Sequence, residues 1–141
     1  MYPGSHVKTR ADQPAFIMAA TGETVTYAEL EARTNRLAHF LRARGLERLA
    51  HYSIFMENNS RYLECCGAGE RAGLYYTCIN SYLKADEVAY IVNNSESQVL
   101  IFSEEKRAVA LEALKQCPKV EVCLIVDGPG DGDKILNLDE A

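Results

Sequence analysis

Four apolar segments, residues 52–56, 74–79, 99–102 and 120–126, constrain this chain more than any other feature. Their apolar residues stand on consecutive positions instead of alternating with polar ones, the pattern of strands covered on both faces in a parallel sheet. Parallel neighbours need crossover connections. Helix-like segments lie where those crossovers are required, over 60–72, 85–93 and 104–117. Asn59 or Ser60 can cap the first and Ser103 the last, Asp86 and Glu87 complement the positive end of the middle one, and Pro118 stops the third. The alternation predicts an α/β fold: an open, doubly wound, mostly parallel sheet with flanking helices.

Ahead of it, the apolar run 16–20, Thr21-Gly22 and the β-branched stretch 24–26 predict a short N-terminal hairpin. Thr26-Tyr27-Ala28-Glu29 has the S/T-x-x-E form in which hydroxyl and carboxylate satisfy each other's orphan backbone donors, so a helix starts there. Leu30, Leu37, Ala38 and Leu41 follow at helical spacing, and Gly45 is placed as a left-handed cap. Gly67 and Gly69 fall inside the next helix, where each costs about 1 kcal/mol relative to alanine. With Cys66 and Gly73 they imply a small-residue surface that lets that helix lie close against the sheet. One core is expected from 141 residues. It divides into 1–50 (hairpin and first helix), 51–127 (a βαβαβαβ unit) and 128–141. The last is a flexible acidic loop and a truncated tail in which Ile135 and Leu138 lack an evident partner.

Composition narrows the function classes. With 48% hydrophobic and 25% charged residues the chain is an ordinary globular one. A net charge of -5 argues against a nucleic-acid partner, which needs a cationic face. No stretch approaches the roughly 20 apolar residues of a membrane span, and the first ten residues lack the apolar core of a secretory signal, so a cytoplasmic location is expected. Cysteines 65, 66, 78, 117 and 123 are odd in number, lie in apolar runs and form no Cys-x-x-Cys pair, which reads as buried free thiols. The vicinal pair Cys65-Cys66 is a poor redox couple, since neighbours on a helix point about 100° apart.

A search for chemistry returns little. His6, His39 and His51 are isolated, and no metal site is expected. There is no Gly-x-Ser-x-Gly elbow, no P-loop, and Glu57-Asn58-Asn59-Ser60 stands where a dinucleotide fold places its glycine turn. Gly128, Gly130 and Gly132 mimic a phosphate loop but have acidic neighbours. A phosphoacceptor domain needs an acidic cluster, whereas the strand ends offer Glu57, Asn80, Ser103 and Asp127. What remains is positional, because open α/β sheets bind ligands beyond the carboxyl ends of their strands. Glu57 to Asn59, Asn80 to Tyr82, Ser103 and Asp127 occupy those ends, where helix capping and turn formation are the ordinary use of such residues.

Several short stretches together resemble the opening of adenylate-forming enzymes, specifically acyl-CoA synthetases of the AMP-binding family. They are Tyr2-Pro3-Gly4, Pro14-Ala15-Phe16, Thr21-Gly22-Glu23, Thr26-Tyr27-Ala28-Glu29-Leu30 and Asn35-Arg36-Leu37-Ala38 with Leu41 and Gly45. Met56-Glu57-Asn58, Glu70-Arg71-Ala72-Gly73, Asn80-Ser81-Tyr82-Leu83, Glu87-Val88-Ala89-Tyr90-Ile91-Val92 and Asn94-Ser95 continue the series in order. The resemblance implies a ligase that converts a carboxylic acid, of the fatty-acid class, into its acyl-adenylate with ATP and Mg2+, then transfers the acyl group to coenzyme A. The family's phosphate loop, aromatic-Thr-Glu motif, ribose-binding Asp and C-terminal lysine do not occur here, so the expectation is an N-terminal fragment that is inactive alone and carries no catalytic residue. The resemblance places Asn80 and Ser81 in a loop facing coenzyme A. One departure is local: Leu49-Ala50 stands where the family usually has Gly-Asp, which puts the turn into the first parallel strand in question. The competing reading is a stand-alone α/β binding or interaction module. A sheet that ends early is also expected to associate, as a homodimer, through an exposed strand edge or apolar face.

Overall fold

In the computed structural model, which describes residues 4–140, the chain opens with a helix absent from the sequence reading, α1 (Gly4–Arg10). His6 seats it on Tyr27 with ring centroids 5.1 Å apart. Tyr2 and Pro3, part of the N-terminal resemblance, lie outside the described residues. The expected hairpin follows as β1 (Pro14–Ile17) and β2 (Thr24–Thr26), paired antiparallel. Its loop is closed by the Met18 N–H donating to the Glu23 carbonyl at 2.8 Å.

Helix α2 (Tyr27–Ala43) begins where the capping pattern places it. Thr26 Oγ1 accepts from the Glu29 N–H at 3.2 Å, and Glu29 Oε2 accepts from the Thr26 N–H at 2.8 Å. At the far end Gly45 takes φ 88°, while the Leu46 and Gly45 N–H groups donate to the Leu41 and Arg42 carbonyls. This is the left-handed closure that glycine enters without steric cost.

The main unit runs β3 (His51–Phe55), α3 (Tyr62–Ala72), β4 (Tyr75–Ile79), α4 (Ala85–Asn94), β5 (Val99–Ser103), a 3-10 turn (Glu104–Lys106), α5 (Arg107–Leu114), β6 (Val122–Val126) and β7 (Ile135–Asn137). The strands lie in the order β4-β3-β5-β6-β7, all neighbours parallel. Alternate residues divide between two cores. Tyr52, Ile54, Ile101 and Leu124 pack with Leu37 and Leu41 of α2 and Cys65 and Ala68 of α3. Phe55, Leu100, Phe102, Cys123 and Ile125 pack with Val88 and Val92 of α4 and Ala110 and Ala113 of α5. Both faces of the central strands are therefore covered, which is why their sequences are apolar throughout.

Four expectations need correction. The tail is not without a partner: Ile135 of β7 pairs with Cys123 of β6, and Ile135 and Leu138 are buried. Residues 127–134 make this parallel crossover without a helix. Asp131 Oδ1 organises them by accepting from the Ile135 and Asp133 N–H groups at 2.8 and 3.0 Å, bonds that lower its pKa. The short strand eluded the sequence because three residues show no periodicity. Second, Ser103 does not cap the helix after it; its hydroxyl is spent on Glu57. Third, Gly67 faces α2, not the sheet: a Cβ there would lie 3.1 Å from Thr34, whereas one on Gly69 would lie 2.6 Å from the Tyr52 hydroxyl. Fourth, the thiols are not all buried, since β4 is an edge strand and leaves Cys78 exposed and Cys66 half-buried. The turn into β3 forms despite Leu49, which is held at φ 71°, a conformation costing roughly 1–2 kcal/mol for a residue with a Cβ.

Candidate functional site

Strands β3 and β5 are neighbours whose following helices leave on opposite faces, α3 on one and α5 on the other. Such a divergence is the topological switch point of a doubly wound sheet, where a crevice forms beyond the carboxyl ends of the strands and ligands bind. Here the crevice is spanned by a chain of polar contacts. Ser103 Oγ donates to Glu57 Oε2 at 2.5 Å, joining the ends of β5 and β3. Asn59 Nδ2 donates to Asp127 Oδ2 at 2.7 Å and reaches Glu57 Oε1 at 3.5 Å, adding the end of β6. Asn59 Oδ1 accepts from the Arg61 N–H at 2.8 Å, so its amide is fixed at both ends. Asp127 turns the chain out of β6 at φ 59°, which a short polar side chain tolerates.

All four strand ends named from the sequence thus lie at one end of the sheet, but they do not form one cluster. Glu57, Asn59, Ser103 and Asp127 are bonded together. Asn80 and Ser81 sit at the outer edge after β4, Asn80 exposed and Ser81 half-buried. Asn80 Oδ1 accepts from the Tyr82 N–H at 3.0 Å, the turn-forming role expected of asparagine there. Tyr82, 91% exposed, links this loop to the crevice: Lys106 Nζ lies 5.9 Å from its ring centroid. A hydrogen bond to Glu105 raises the Lys106 pKa, with Glu57 adding to it. Lys106 was missed in the sequence because nothing in its neighbours marks it; only the β4-β3-β5 order brings it opposite Tyr82.

Behind the crevice Arg61 and Glu64 form a buried two-pronged pair, Nε to Oε2 and Nη2 to Oε1, both 2.8 Å. Glu64 is 2% exposed. Arg61 Nη2 also reaches Asp139 Oδ1 at 2.7 Å, tying the segment after β7 to the head of α3, and Arg33 of α2 stands 3.9 Å from Glu64. Burial works against the Arg61 charge, but the bonds to Glu64 and Asp139 outweigh it and raise its pKa; the same contact lowers that of Asp139.

Chemically this arrangement orients loops and leaves no activated nucleophile: the Ser103 hydroxyl donates to a carboxylate and has no imidazole beside it. Nor do the residues fit a nucleotide phosphate. A Cβ on Gly130 would lie 2.5 Å from the Ile135 carbonyl and one on Gly128 would overlap the Glu104 carboxylate, so these glycines serve close packing of the chain on itself. The Asp133 and Ile135 N–H groups, the donors a phosphate would need, are already bound to Asp131. Among the described residues no group of three or more His, Cys, Asp or Glu side chains is placed to hold a metal ion. No helix among them is long and apolar enough to cross a membrane.

Residues 5–140 match the AMP-binding enzyme family. Among curated proteins the chain is similar to a 3-oxocholest-4-en-26-oate--CoA ligase of Rhodococcus rhodochrous, 31% identical over 82% of this chain and 21% of that protein. It is also similar to a fatty acid--[acyl-carrier-protein] ligase of Streptomyces coeruleorubidus, 27% identical over 80% of this chain and 21% of that protein. Among solved structures, an anthranilate CoA ligase in complex with anthranoyl-AMP superimposes with a TM-score of 0.88. It shares 18% identity over 98% of this chain and 26% of that one, a likeness of fold. The chain spans about a fifth of the length of the curated relatives it matches.

Proposed function

The chain belongs to the AMP-binding enzyme family, and we propose that the whole protein is an ATP-dependent acid–thiol ligase of which these residues form the N-terminal scaffold. Its substrate is a carboxylic acid of the fatty-acid class, activated as an acyl-adenylate with ATP and Mg2+ and transferred to coenzyme A. The observation that carries this reading is the family match over 5–140, supported by the ligase names of the relatives. Since no residue described here fits a triphosphate, no step of the adenylation is assigned to this chain, and alone it is inactive. The whole protein should exchange pyrophosphate into ATP in the presence of a fatty acid, while residues 1–141 alone should read background. Acid-dependent turnover by the isolated chain would refute the scaffold role, and failure of the whole protein with every carboxylic acid tried would refute the ligase.

Within this reading Asn80 and Ser81 face the acceptor side, near the pantetheine arm of coenzyme A. Their support is position: a polar, accessible loop at the carboxyl end of β4. Ser81→Trp in the whole protein should raise the KM for coenzyme A and spare adenylate formation; equal damage to both half-reactions would leave the loop only a structural role. Five unpaired cysteines fit a reducing compartment, and the cytoplasm is the location we assign.

The edge strand β4 reads Tyr-Tyr-Thr-Cys-Ile, without the charge or proline that blunts sheet edges, and Tyr75 is 56% exposed. Association of the chain as a homodimer through this edge is therefore proposed. Sedimentation over a tenfold concentration range should show a rising average mass, and a monomer throughout would refute it.

A further inference from the structure

The vicinal cysteines on α3 part company in the fold. Cys65 points into the core beneath the sheet face and is fully buried, whereas Cys66 turns toward β4. The seating of α3 explains what Cys66 meets. Gly69 lies against Tyr76, where a Cβ would come within 2.9 Å of the ring. In a parallel β3-α3-β4 crossover the helix runs opposite to the strands, so one turn back along α3 corresponds to two residues forward along β4. That step leads from Gly69 over Tyr76 to Cys66 over Cys78. The register therefore sets the two thiols beside one another between helix and strand, where burial and the neighbouring Cys78 together raise the pKa of Cys66 and, one further turn back, that of the Tyr62 phenol. Cys78 is exposed on the edge strand, so one sulfur of the pair is open to solvent while the other is sheltered.

We propose that Cys66 and Cys78 are a dithiol pair that a peroxide oxidises to an intramolecular disulfide, stapling α3 to the edge strand two residues before Asn80. The Cys78 thiol gives up its proton, the thiolate attacks one peroxide oxygen, the O–O bond breaks, Cys78 becomes a sulfenic acid, and the departing hydroxide takes up that proton and leaves as water. Cys66 sulfur then attacks the Cys78 sulfur, the S–O bond breaks, and a second water leaves with the Cys66 proton. Two thiols lose two electrons to one peroxide and two waters form. Burial, reinforced by the neighbouring Cys78, pushes the Cys66 thiol up to about 12, so Cys66 stays protonated and the exposed Cys78 is the member an oxidant meets first. The inference rests on the fold alone and stands whether or not the ligase reading does.

The test is titration of thiols in the unfolded chain before and after brief exposure to hydrogen peroxide, with peptide mapping under non-reducing conditions. Five thiols should be titratable before treatment and two fewer after it, with residues 66 and 78 in one cross-linked species that a dithiol reductant resolves. Cys78→Ser, at an exposed position, should keep the fold and abolish the cross-link, and Cys65→Ser should retain it. A cross-link through Cys65, a Cys78–Cys78 link between two chains as the sole product, or five titratable thiols after treatment would each overturn the proposal.

Discussion

Gly69→Ala separates what a helix prefers from what this fold allows. In an exposed helix interior the change stabilises by about 1 kcal/mol. Here the new methyl would stand 2.6 Å from the Tyr52 hydroxyl, 3.0 Å from its ring and 2.9 Å from Tyr76. Tyr52 cannot swing aside: it is fully buried in the middle of the sheet, and its hydroxyl donates to the Cys65 carbonyl. Forced overpacking costs about 1–3 kcal/mol, and displacing that buried hydrogen bond about 1–3 more. Against the propensity gain, the net loss is about 1–5 kcal/mol. With a urea slope of about 1–3 kcal/mol/M, a loss of 2 kcal/mol lowers the unfolding midpoint by about 1 M. Gly67→Ala is the control, since its methyl would meet only the Thr34 side chain at 3.1 Å, and its midpoint should move by a small fraction of that. Tyr52→Phe should recover part of the Gly69→Ala loss by removing the nearest atom. A midpoint for Gly69→Ala equal to or above wild type would refute the close approach of α3 to β3.

Leu49 offers the opposite sign: at φ 71° the Gly variant should be more stable than the Ala variant by about 0.5–1 kcal/mol, by thermal unfolding, whereas in ordinary backbone glycine loses. Glu64→Ala should cost about 3–5 kcal/mol by leaving the Arg61 charge buried with only Asp139, and the double variant Glu64→Leu with Arg61→Met should regain most of it; a single-variant loss below about 1 kcal/mol would contradict the buried pair. Because Arg61 depresses the Asp139 pKa, Asp139 contributes stability above the ordinary aspartate range of about 4 that is lost as pH falls through its folded value. Asp139→Asn should therefore be less stable than wild type at neutral pH and equal to it in strong acid, and a difference constant with pH would exclude the Arg61 contact as its source.

Much of the fold was determined by local pattern. Consecutive apolar residues at 52–56, 99–102 and 120–126 follow from burial on both faces, and Thr26–Glu29 and Gly45 delimit α2 through interactions spanning a few residues. Such features are set by chain-local physics, so the sequence by itself decides them. Strand order was not among them. Which neighbour β3 takes on each side, and hence that Glu57 meets Ser103, Asn59 meets Asp127 and Tyr82 comes opposite Lys106, depends on crossovers that pair residues 46, 68 and 24 positions apart. The same holds for the tail, where Ile135 and Leu138 gain partners only because β6 offers a free edge, and for Cys66, whose companion is Cys78 on the next strand instead of its neighbour Cys65. Side chains distant in sequence acquire a common environment only when the sheet assembles, and for that reason the tertiary structure alone decided the crevice, the thiol pair and the roles of individual glycines.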